Sequence, residues 1–287
     1  MKQKITFSFG KNWNNYVETV VNDKVLAETK NSMLKYLPIE EYKGKNFIDV
    51  GCGSGLFSLS SVLLGCKKTI SIDVDDYSIK STLLTKNKFS SLLQDNIEWE
   101  ISKGDILDNA TIESIINQSD GGGDIVYSWG VLHHTGNMWE AIRNCAKLVK
   151  PGGYFIIAIY NHAPSSKFWQ NVKIFYNKYE RMQPIMNLLY GSYVSIGYMI
   201  HKKTFKLYRD RGMHVFYDAI DWLGGYPYEY ACFDEIKSFV ENLNFELFKQ
   251  PTKLACGKNE KINFFSKMRS KDTGCNEFVF LRLRDTI

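Results

Sequence analysis

The sequence predicts an α/β fold in which a mostly parallel sheet carries helices on both faces. Two observations support this prediction. Between about residue 46 and residue 160, short apolar runs alternate with longer amphipathic runs, as they do in repeated strand–helix–strand units. The apolar run 46–50 also passes directly into a turn with three glycines and then into a helix. The free N–H groups at the start of that helix would point at a ligand above the sheet edge.

The elements follow one another in a regular order. Strands are predicted at 46–50, 69–73, 97–101, 124–129 and 153–160. The helices between them are predicted at 55–64, 77–90, 110–117 and 138–149. Right-handed crossovers through these helices would make the neighbouring strands parallel. A helix at 233–243, a strand at 245–248, a lysine-rich loop and a strand at 278–281 complete the sheet.

The chain is predicted to divide into four segments. Residues 1–45 form an N-terminal helical segment or lid, which packs across a Rossmann-like core at 46–160. Residues 161–232 break the alternation with prolines and glycines and contain ten of the 17 tyrosines. They are therefore predicted to be a helical, aromatic-rich insertion after the fifth strand, and residues 233–287 return to the core sheet.

Composition and cysteine usage are those of an ordinary globular protein, with 44% hydrophobic and 23% charged residues. The start of the chain lacks the apolar core of a signal peptide, and no apolar run reaches the ~18 residues that a membrane span needs. The six cysteines are scattered, which favours reduced thiols over disulfides or a zinc site. These features predict a cytoplasmic protein.

The net charge of +5 is unevenly distributed along the chain. Residues 161–211 contain nine Lys or Arg and only two acidic residues, so this segment carries +7. A local excess of this kind indicates either an anionic partner on one side of the protein or a solvated helix face.

Acidic residues stand at the carboxyl ends of three predicted strands. Asp49 lies in the first strand, Asp73 ends the second, and Asp105 follows the third. From the second position a carboxylate can bind both ribose hydroxyls, and from the third it can accept from an adenine amine. A dinucleotide dehydrogenase is a poorer match, because its Gly-x-Gly-x-x-Gly fingerprint needs a glycine where this chain has Leu56.

On these residues the chain resembles the class I S-adenosylmethionine-dependent methyltransferases. Residues 48–55 (IDVGCGSG) match their first motif, and Asp73, residues 104–105 (GD) and residues 124–126 (DIV) match later ones. Residues 9–13 (FGKNW), 128–136 (SWGVLHHTG) and 221–227 (DWLGGYP) are similar to a bacterial small-molecule or sugar-type subgroup.

The resemblance implies a seven-stranded sheet with its last strand antiparallel. It also implies S-adenosylmethionine as the methyl donor and S-adenosylhomocysteine as the product. Together with the acidic pattern, it predicts that the following residues bind the cofactor: Phe9, Trp13, Asp49, Gly51, Cys52, Gly53, Gly55, Leu56, Asp73, Val74, Gly104, Asp105, Ile106, Ser128 and Trp129.

A general base helps methyl transfer to a hydroxyl, and histidine is the usual choice. His133 and His134 follow the fourth strand, on the loop that lies beside the methyl group in this fold, and His162 follows the fifth strand. Because His133 and His134 are adjacent, they cannot both point into the site in the same way. His133 is the preferred candidate. In the alternative interpretation both histidines hydrogen-bond the loop, while Trp129 and Leu132 pack on the cofactor.

Acidic and aromatic residues surround the late segment 224–227 (GGYP). Rings that stack and carboxylates that accept hydroxyl hydrogen bonds suit a sugar, although the same residues could simply anchor the insertion. The residues predicted to bind the acceptor are Asn161, Asp221, Tyr226 and Glu229. No metal is predicted, because no Asp, Glu or His spacing argues for one.

We therefore predict O-methylation of a small molecule, such as a sugar or a phosphate- or nucleotide-linked sugar of a bacterial surface polysaccharide. The basic insertion would suit an anionic acceptor. The alternatives are an RNA or protein methyltransferase and a non-catalytic cofactor-binding scaffold. Nucleic acid is not favoured, because residues 128–131 (SWGV) stand where many RNA methyltransferases carry an Asn/Asp-Pro-Pro-Tyr-like element. The apolar run 188–200 predicts a buried lid helix, with a membrane-surface or homodimer contact as alternatives.

Overall fold

The computed structural model describes residues 9–94, 97–202, 215–257 and 274–284. Some sequence-based predictions fall outside these ranges. They concern the opening residues of the chain, most of the lysine-rich loop, and four of the basic residues of the insertion, which are Lys203, Lys206, Arg209 and Arg211.

Seven strands form a single sheet. Its strands are β1 (Asn46–Val50), β2 (Lys68–Asp73), β3 (Glu98–Lys103), β4 (Gly123–Trp129), β5 (Val149–Tyr160), β6 (Phe245–Thr252) and β7 (Cys275–Arg282). The spatial order is β3-β2-β1-β4-β5-β7-β6. Strands β1 to β5 pair in parallel, whereas β7 is antiparallel to both β5 and β6. The predicted seven-stranded, mostly parallel sheet with an antiparallel last strand is confirmed.

Helices surround this sheet. In the described part of the chain they are α1 (Phe9–Thr19), α2 (Asp23–Met33), α3 (Leu56–Leu63), α4 (Asp76–Lys88), α5 (Asn109–Gln118), α6 (Met138–Lys147), α7 (Ser166–Lys178), α8 (Gln183–Lys202), α9 (Val215–Gly224) and α10 (Phe233–Glu241). None of these helices has the length and apolar character that a bilayer crossing requires.

The central strands bury side chains on both faces. In β1, Ile48 and Val50 pack with Val126 on one face, whereas Phe47 packs with Tyr127 on the other. Successive side chains of a strand point to opposite faces, so each face receives its own apolar set. Coverage on both faces is the physical reason why β1 appears in the sequence as a continuous apolar run.

The chain order in the sheet reverses between β1 and β4. Strands β2 and β3 lie on one side of β1, and β4 and β5 lie on the other. In open α/β sheets, a crevice forms at the carboxyl ends of the strands where the order reverses. This topology therefore directs attention to the residues that follow β1, β2 and β4.

The described residues between β5 and α10 are mainly helical. Helices α7, α8 and α9 lie here, and they share a separate aromatic cluster centred on Trp169, Tyr176 and Tyr228. The chain rejoins the sheet edge where Asn161 and Ala231 form an isolated parallel bridge. The insertion thus has a core of its own, held beside the carboxyl end of β5.

One prediction about the cysteines is wrong. Cys232 and Cys256 form a disulfide with a Cα–Cα distance of 5.2 Å. It links the start of α10 to the loop that follows β6, two segments that are 24 residues apart in sequence. Sequence spacing could not show this, because the tertiary fold alone brings the two segments together. The cysteine pattern no longer supports a cytoplasmic location, which stays a prediction.

Breaking this disulfide is expected to lower the free energy of unfolding by about 2–4 kcal/mol, because the cross-link restricts the unfolded chain. The test is urea denaturation of the oxidised wild type and of the variant Cys232→Ser/Cys256→Ser. Serine suits position 232, since this residue is the N-cap of α10. Cys275→Ser is the control, because Cys275 takes no part in the bond. Equal stability of the double variant and the wild type would contradict the expectation.

Candidate active site

The turn after β1 has a geometry that only glycine accommodates easily. Gly51, Gly53 and Gly55 have φ angles of +81°, +54° and +74°, a region that L side chains rarely adopt. The amides of Gly51 and Cys52 both donate to the carbonyl of Ile72, at 2.8 and 3.0 Å. These bonds fix the turn to the end of β2.

Close packing adds a second requirement for glycine in this turn. A Cβ on Gly51 would overlap the side chain of Val131, which follows β4. A Cβ on Gly53 would stand 3.2 Å from the indole nitrogen of Trp13 in α1. Val131 of the loop after β4 and Trp13 of the N-terminal helix therefore pack closely against this turn.

Asp73 closes the turn from the end of β2. Its Oδ2 accepts from the amide of Gly53 at 3.0 Å, and its Oδ1 accepts from the amide of Asp75 at 2.9 Å. Burial nevertheless raises the pKa of this carboxyl above its usual value. The side chain is thus held in one orientation while it also lines the adjoining cavity.

Asp49 lies deeper, at the end of β1. Its Oδ2 accepts from the hydroxyl of Ser58 at 2.5 Å, and Ser58 in turn accepts from the hydroxyl of Ser71. Burial raises the pKa of Asp49 to about 7. A cationic group arriving in the cavity would favour the ionised form, since an opposite charge offsets the cost of burial.

A cavity of about 610 Å³ opens above these residues at the carboxyl edge of the sheet. Most of the predicted cofactor residues line it: Phe9, Trp13, Asp49, Gly51, Cys52, Gly53, Leu56, Asp73, Val74, Asp105 and Trp129. The residues predicted from the sequence therefore lie together at this edge of the sheet, although the binding role of each residue stays a prediction.

Four other predicted cofactor residues are not among those that line the cavity, and they make structural contacts instead. Gly55 is the N-cap of α3, and Gly104 has no space for a Cβ beside Thr111. Ile106 is part of the hydrophobic core, and the hydroxyl of Ser128 donates to the carbonyl of Val50. These contacts are with the backbone and the packed interior of the fold, which the positions of the four residues in the sequence alone did not reveal.

The two adjacent histidines have different environments. His134 lines the cavity, and its Nδ1 lies 2.6 Å from the carbonyl oxygen of Pro227. A carbonyl can only accept, so we assign the proton to Nδ1, which leaves the lone pair on Nε2. Burial, followed by the nearby Lys173, lowers the pKa of His134 to about 3. The ring is therefore neutral in the folded protein at ordinary pH.

His133 does not fit the catalytic role preferred from the sequence. Its side chain is fully buried, and its Nδ1 accepts from the amide of Tyr160 at 3.3 Å. The remaining proton then sits on Nε2, which is buried without a hydrogen-bond partner among the described residues. Its lone pair is used by the backbone, so the ring has nothing with which to accept a substrate proton.

Three other predicted site residues hold the scaffold together. Asn161 donates to the carbonyl of Ala255 and accepts from Asn276, which uses both ends of its amide. Glu229 accepts from the amide of Met138 at the start of α6. The ring of His162 packs on Tyr230, with centroids 4.8 Å apart. These positions support the anchoring interpretation for this part of the predicted set.

Asp221 and Tyr226 do line the cavity. Oδ1 of Asp221 accepts from the side-chain amide of Asn12 at 2.8 Å, and that amide also donates to the carbonyl of Tyr217 at 3.1 Å. Burial raises the pKa of Asp221 well above its usual value. The N-terminal helix α1 and the insertion helix α9 are thereby joined over the cavity.

An aromatic wall closes the cavity on the insertion side. We use this name for Tyr160, Trp169, Tyr190, Trp222 and Tyr226, which all line the cavity. Of these five residues, Tyr226 was predicted from the sequence to bind the acceptor. The abundance of tyrosine in the insertion was the available signal, but it could not tell rings that line a site from rings that form the insertion's own core.

Lys173 of α7 sits behind this wall. It is fully buried, donates to the carbonyl of Trp222, and lies 4.2 Å from the centroid of the Trp222 ring and 4.8 Å from that of Tyr228. Burial lowers the pKa of Lys173 to about 7, against an opposing effect of Asp221. Its positive charge, when present, further disfavours protonation of His134.

Lys173→Met is expected to raise the free energy of unfolding near neutral pH, because it removes a buried group whose charged form is disfavoured in the folded protein. The folded pKa of about 7 lies below the ordinary 10.5. Between these values the unfolded chain binds a proton that the folded chain does not, so the lysine makes stability rise with pH. Urea denaturation across this range should show a flatter profile for the variant. The exposed Lys167→Met on the same helix is the control, and an identical pH slope in wild type and Lys173→Met would contradict the argument.

The site has the features that an adenosine-containing cation needs. Asp73 presents a fixed carboxylate to the cavity beside an amide-lined glycine turn, and a side chain on Gly53 would fill the space below Trp13. Asp49 supplies a buried acid that a positive charge would ionise. Together with the strand order, these features define a Rossmann-like fold of the methyltransferase class.

The comparisons with known proteins agree with this class. A family model described as a methyltransferase domain matches residues 23–192. A mitochondrial ubiquinone biosynthesis O-methyltransferase of Dictyostelium discoideum is 34% identical over 143 residues, covering 50% of this chain and 41% of that protein. The ubiquinone biosynthesis O-methyltransferase of Caulobacter vibrioides is 32% identical over 120 residues, covering 42% of each. The match spans less than half the length of these relatives.

Solved structures show the same fold. The magnesium protoporphyrin IX methyltransferase of Synechocystis, solved with bound SAH, has a TM-score of 0.51 at 13% identity, covering 95% of this chain and 93% of that one. PKMT2 of Rickettsia typhi, in complex with AdoHcy, has a TM-score of 0.52 at 13% identity, covering 100% and 56%. The chain belongs to the methyltransferase domain family. The relatives' names give no support to the predicted carbohydrate acceptor.

Proposed function

We propose that this protein transfers a methyl group from S-adenosylmethionine to a hydroxyl of a small aromatic acceptor, with His134 as general base. The observation that carries the proposal is one cavity lined both by the glycine turn with Asp73 and by His134 with the aromatic wall. The names of the curated relatives, which are O-methyltransferases, support oxygen as the accepting atom.

The character of the cavity wall supports a flat, largely apolar acceptor. Tyr160, Trp169 and Trp222 form a series of edge-to-face contacts, with centroids 5.3 and 5.4 Å apart. Aromatic rings prefer such contacts with further rings. A polyol would need many more polar partners than this wall provides, so a phenol or catechol is the better match.

The tautomer of His134 supports its role as base. S-adenosylmethionine supplies a methyl group on a positively charged sulfur, and that charge disappears on transfer. The proton of the acceptor hydroxyl would pass to Nε2 of His134, while the acceptor oxygen forms its bond to the methyl carbon. The Nδ1–H bond to Pro227 would stabilise the resulting imidazolium. The cavity thus keeps one positive charge throughout, which lessens the cost of charging a buried ring.

The test uses S-adenosylmethionine carrying an isotopically labelled methyl group. The protein is incubated separately with a panel of dihydroxybenzoates and catechols, with nucleotide sugars, with RNA and with a protein extract. The proposal expects label on the oxygen of an aromatic acceptor. Label in sugars, RNA or protein alone would refute the acceptor class. Cofactor binding without transfer to any pool would instead support a non-catalytic scaffold.

A further inference from the structure

Helix α8 presents an exposed apolar face in the described part of the chain. Leu188, Leu189 and Ile200 are 64%, 67% and 73% exposed. The other large apolar residues of this face are Ile185, Tyr193 and Ile196. Their spacing of three, four and seven residues places all six on one side of the helix. We call this set the α8 apolar face.

The opposite side of the same helix belongs to the cavity. Tyr190 and Val194 line the cavity wall. Gly191 packs so closely on the ring of Phe216 in α9 that a Cβ would stand 2.7 Å from it. The inner side therefore fixes how the helix is rotated, and the α8 apolar face must point outward. This corrects the sequence-based prediction of a wholly buried lid helix.

The charges next to the α8 apolar face are predominantly basic, although the exposed acidic residue Glu180 lies between Lys178 and Arg181. Lys178 and Arg181 precede the helix and are exposed, and the sequence from residue 181 to residue 209 contains no acidic residue. A second copy of this chain related by two-fold symmetry would bring the same basic residues together, because such an interface is self-complementary. An anionic surface suits this arrangement better than a like-charged partner does.

We propose that α8 docks the protein on the surface of an anionic lipid bilayer, with the α8 apolar face in the headgroup region. Amphipathic helices bind such surfaces through buried apolar area and through attraction of flanking basic residues to anionic lipids. Helix α8 would then lie between the bilayer and the cavity, which Tyr190 and Val194 of the same helix line. This inference does not depend on the identity of the methyl acceptor.

The test is co-sedimentation of the full chain with vesicles of phosphatidylcholine, with and without phosphatidylglycerol. The wild type should bind the anionic vesicles, and raising the salt from about 0.05 to about 0.5 M should weaken binding. The variant Leu188→Ser/Leu189→Ser/Ile196→Ser should bind at least about tenfold more weakly. Failure of the wild type to bind, or equal binding by this variant, would overturn the proposal.

The matched control is Leu83→Ser/Leu92→Ser/Phe248→Ser, three apolar side chains of the core domain with exposures of 44%, 48% and 50%. It should bind vesicles as the wild type does. The charge-reversal variant Lys178→Glu/Arg181→Glu gives an independent test if the serine variant does not fold, and it should also lose anionic binding. Sedimentation velocity completes the design. If the wild type is a dimer, the serine variant is a monomer and neither binds vesicles, the α8 apolar face is a contact with a second copy of the chain.

Discussion

His134→Ala is expected to lower kcat by about 10²–10⁴-fold, while the Kd for S-adenosylmethionine stays close to that of the wild type. The reason is that His134 lines the cavity and keeps its lone pair on Nε2, since its Nδ1 is engaged by the Pro227 carbonyl. The measurement combines turnover on the acceptor identified by methyl labelling with calorimetric titration of the cofactor. A variant with full turnover would exclude the proposed base.

Two further substitutions separate catalysis from packing. His134→Asn keeps an N–H donor near Pro227 but has no basic lone pair, so it should be nearly as slow as the alanine variant. His162→Ala removes a histidine that packs on Tyr230, and it should retain most of the activity. The opposite pattern, with loss only at His162, would transfer the role of base to the residue after β5.

Asp73→Ala is expected to weaken S-adenosylmethionine binding by about 1–3 kcal/mol, which is roughly five- to 150-fold in Kd. The substitution removes the carboxylate proposed to accept from the ribose, and it also leaves the amide of Gly53 without its acceptor. In the wild type, S-adenosylmethionine binding should weaken as the pH falls and the Asp73 carboxylate becomes protonated. Because burial raises the pKa of Asp73, this loss should begin at a higher pH than it would for a solvent-exposed aspartate.

Asp76→Ala is the control for this measurement. Asp76 lies three residues further along, at the start of α4, where its exposed carboxylate pairs with Lys103 at 2.8 Å. Removing an exposed ion pair changes stability little. Cofactor affinity should therefore be unchanged in this variant. If the two variants bind S-adenosylmethionine equally well, the ribose assignment of Asp73 is wrong.

The sequence was most informative where a local pattern has a single structural solution. The apolar run of β1 followed by three glycines could only be a buried strand and a tight turn, and the structure has that strand at Asn46–Val50. The acids at the carboxyl ends of β1, β2 and β3 were also predictable as neighbours, because the carboxyl ends of parallel strands meet at one edge.

The choice between His133 and His134 depended on information that no local pattern contains. Both residues lie in one short helical turn, and their rings are 4.4 Å apart. What distinguishes them is the backbone that each one meets, the amide of Tyr160 for His133 and the carbonyl of Pro227 for His134. Both partners are distant in sequence, so only the folded chain assigns the two tautomers.

The sequence by itself predicted the strands of the sheet and the glycine turn, because each follows from residues that are close along the chain, and the resemblance of its motifs predicted the methyl donor. The tertiary structure decided which histidine reaches the cavity, that Cys232 pairs with Cys256, and which side of α8 lies outside. These features arise from contacts across 24 residues or more, or from a helix packed on another helix. Local periodicity can orient a helix relative to a core, but it cannot say which of two apolar sides the core will cover.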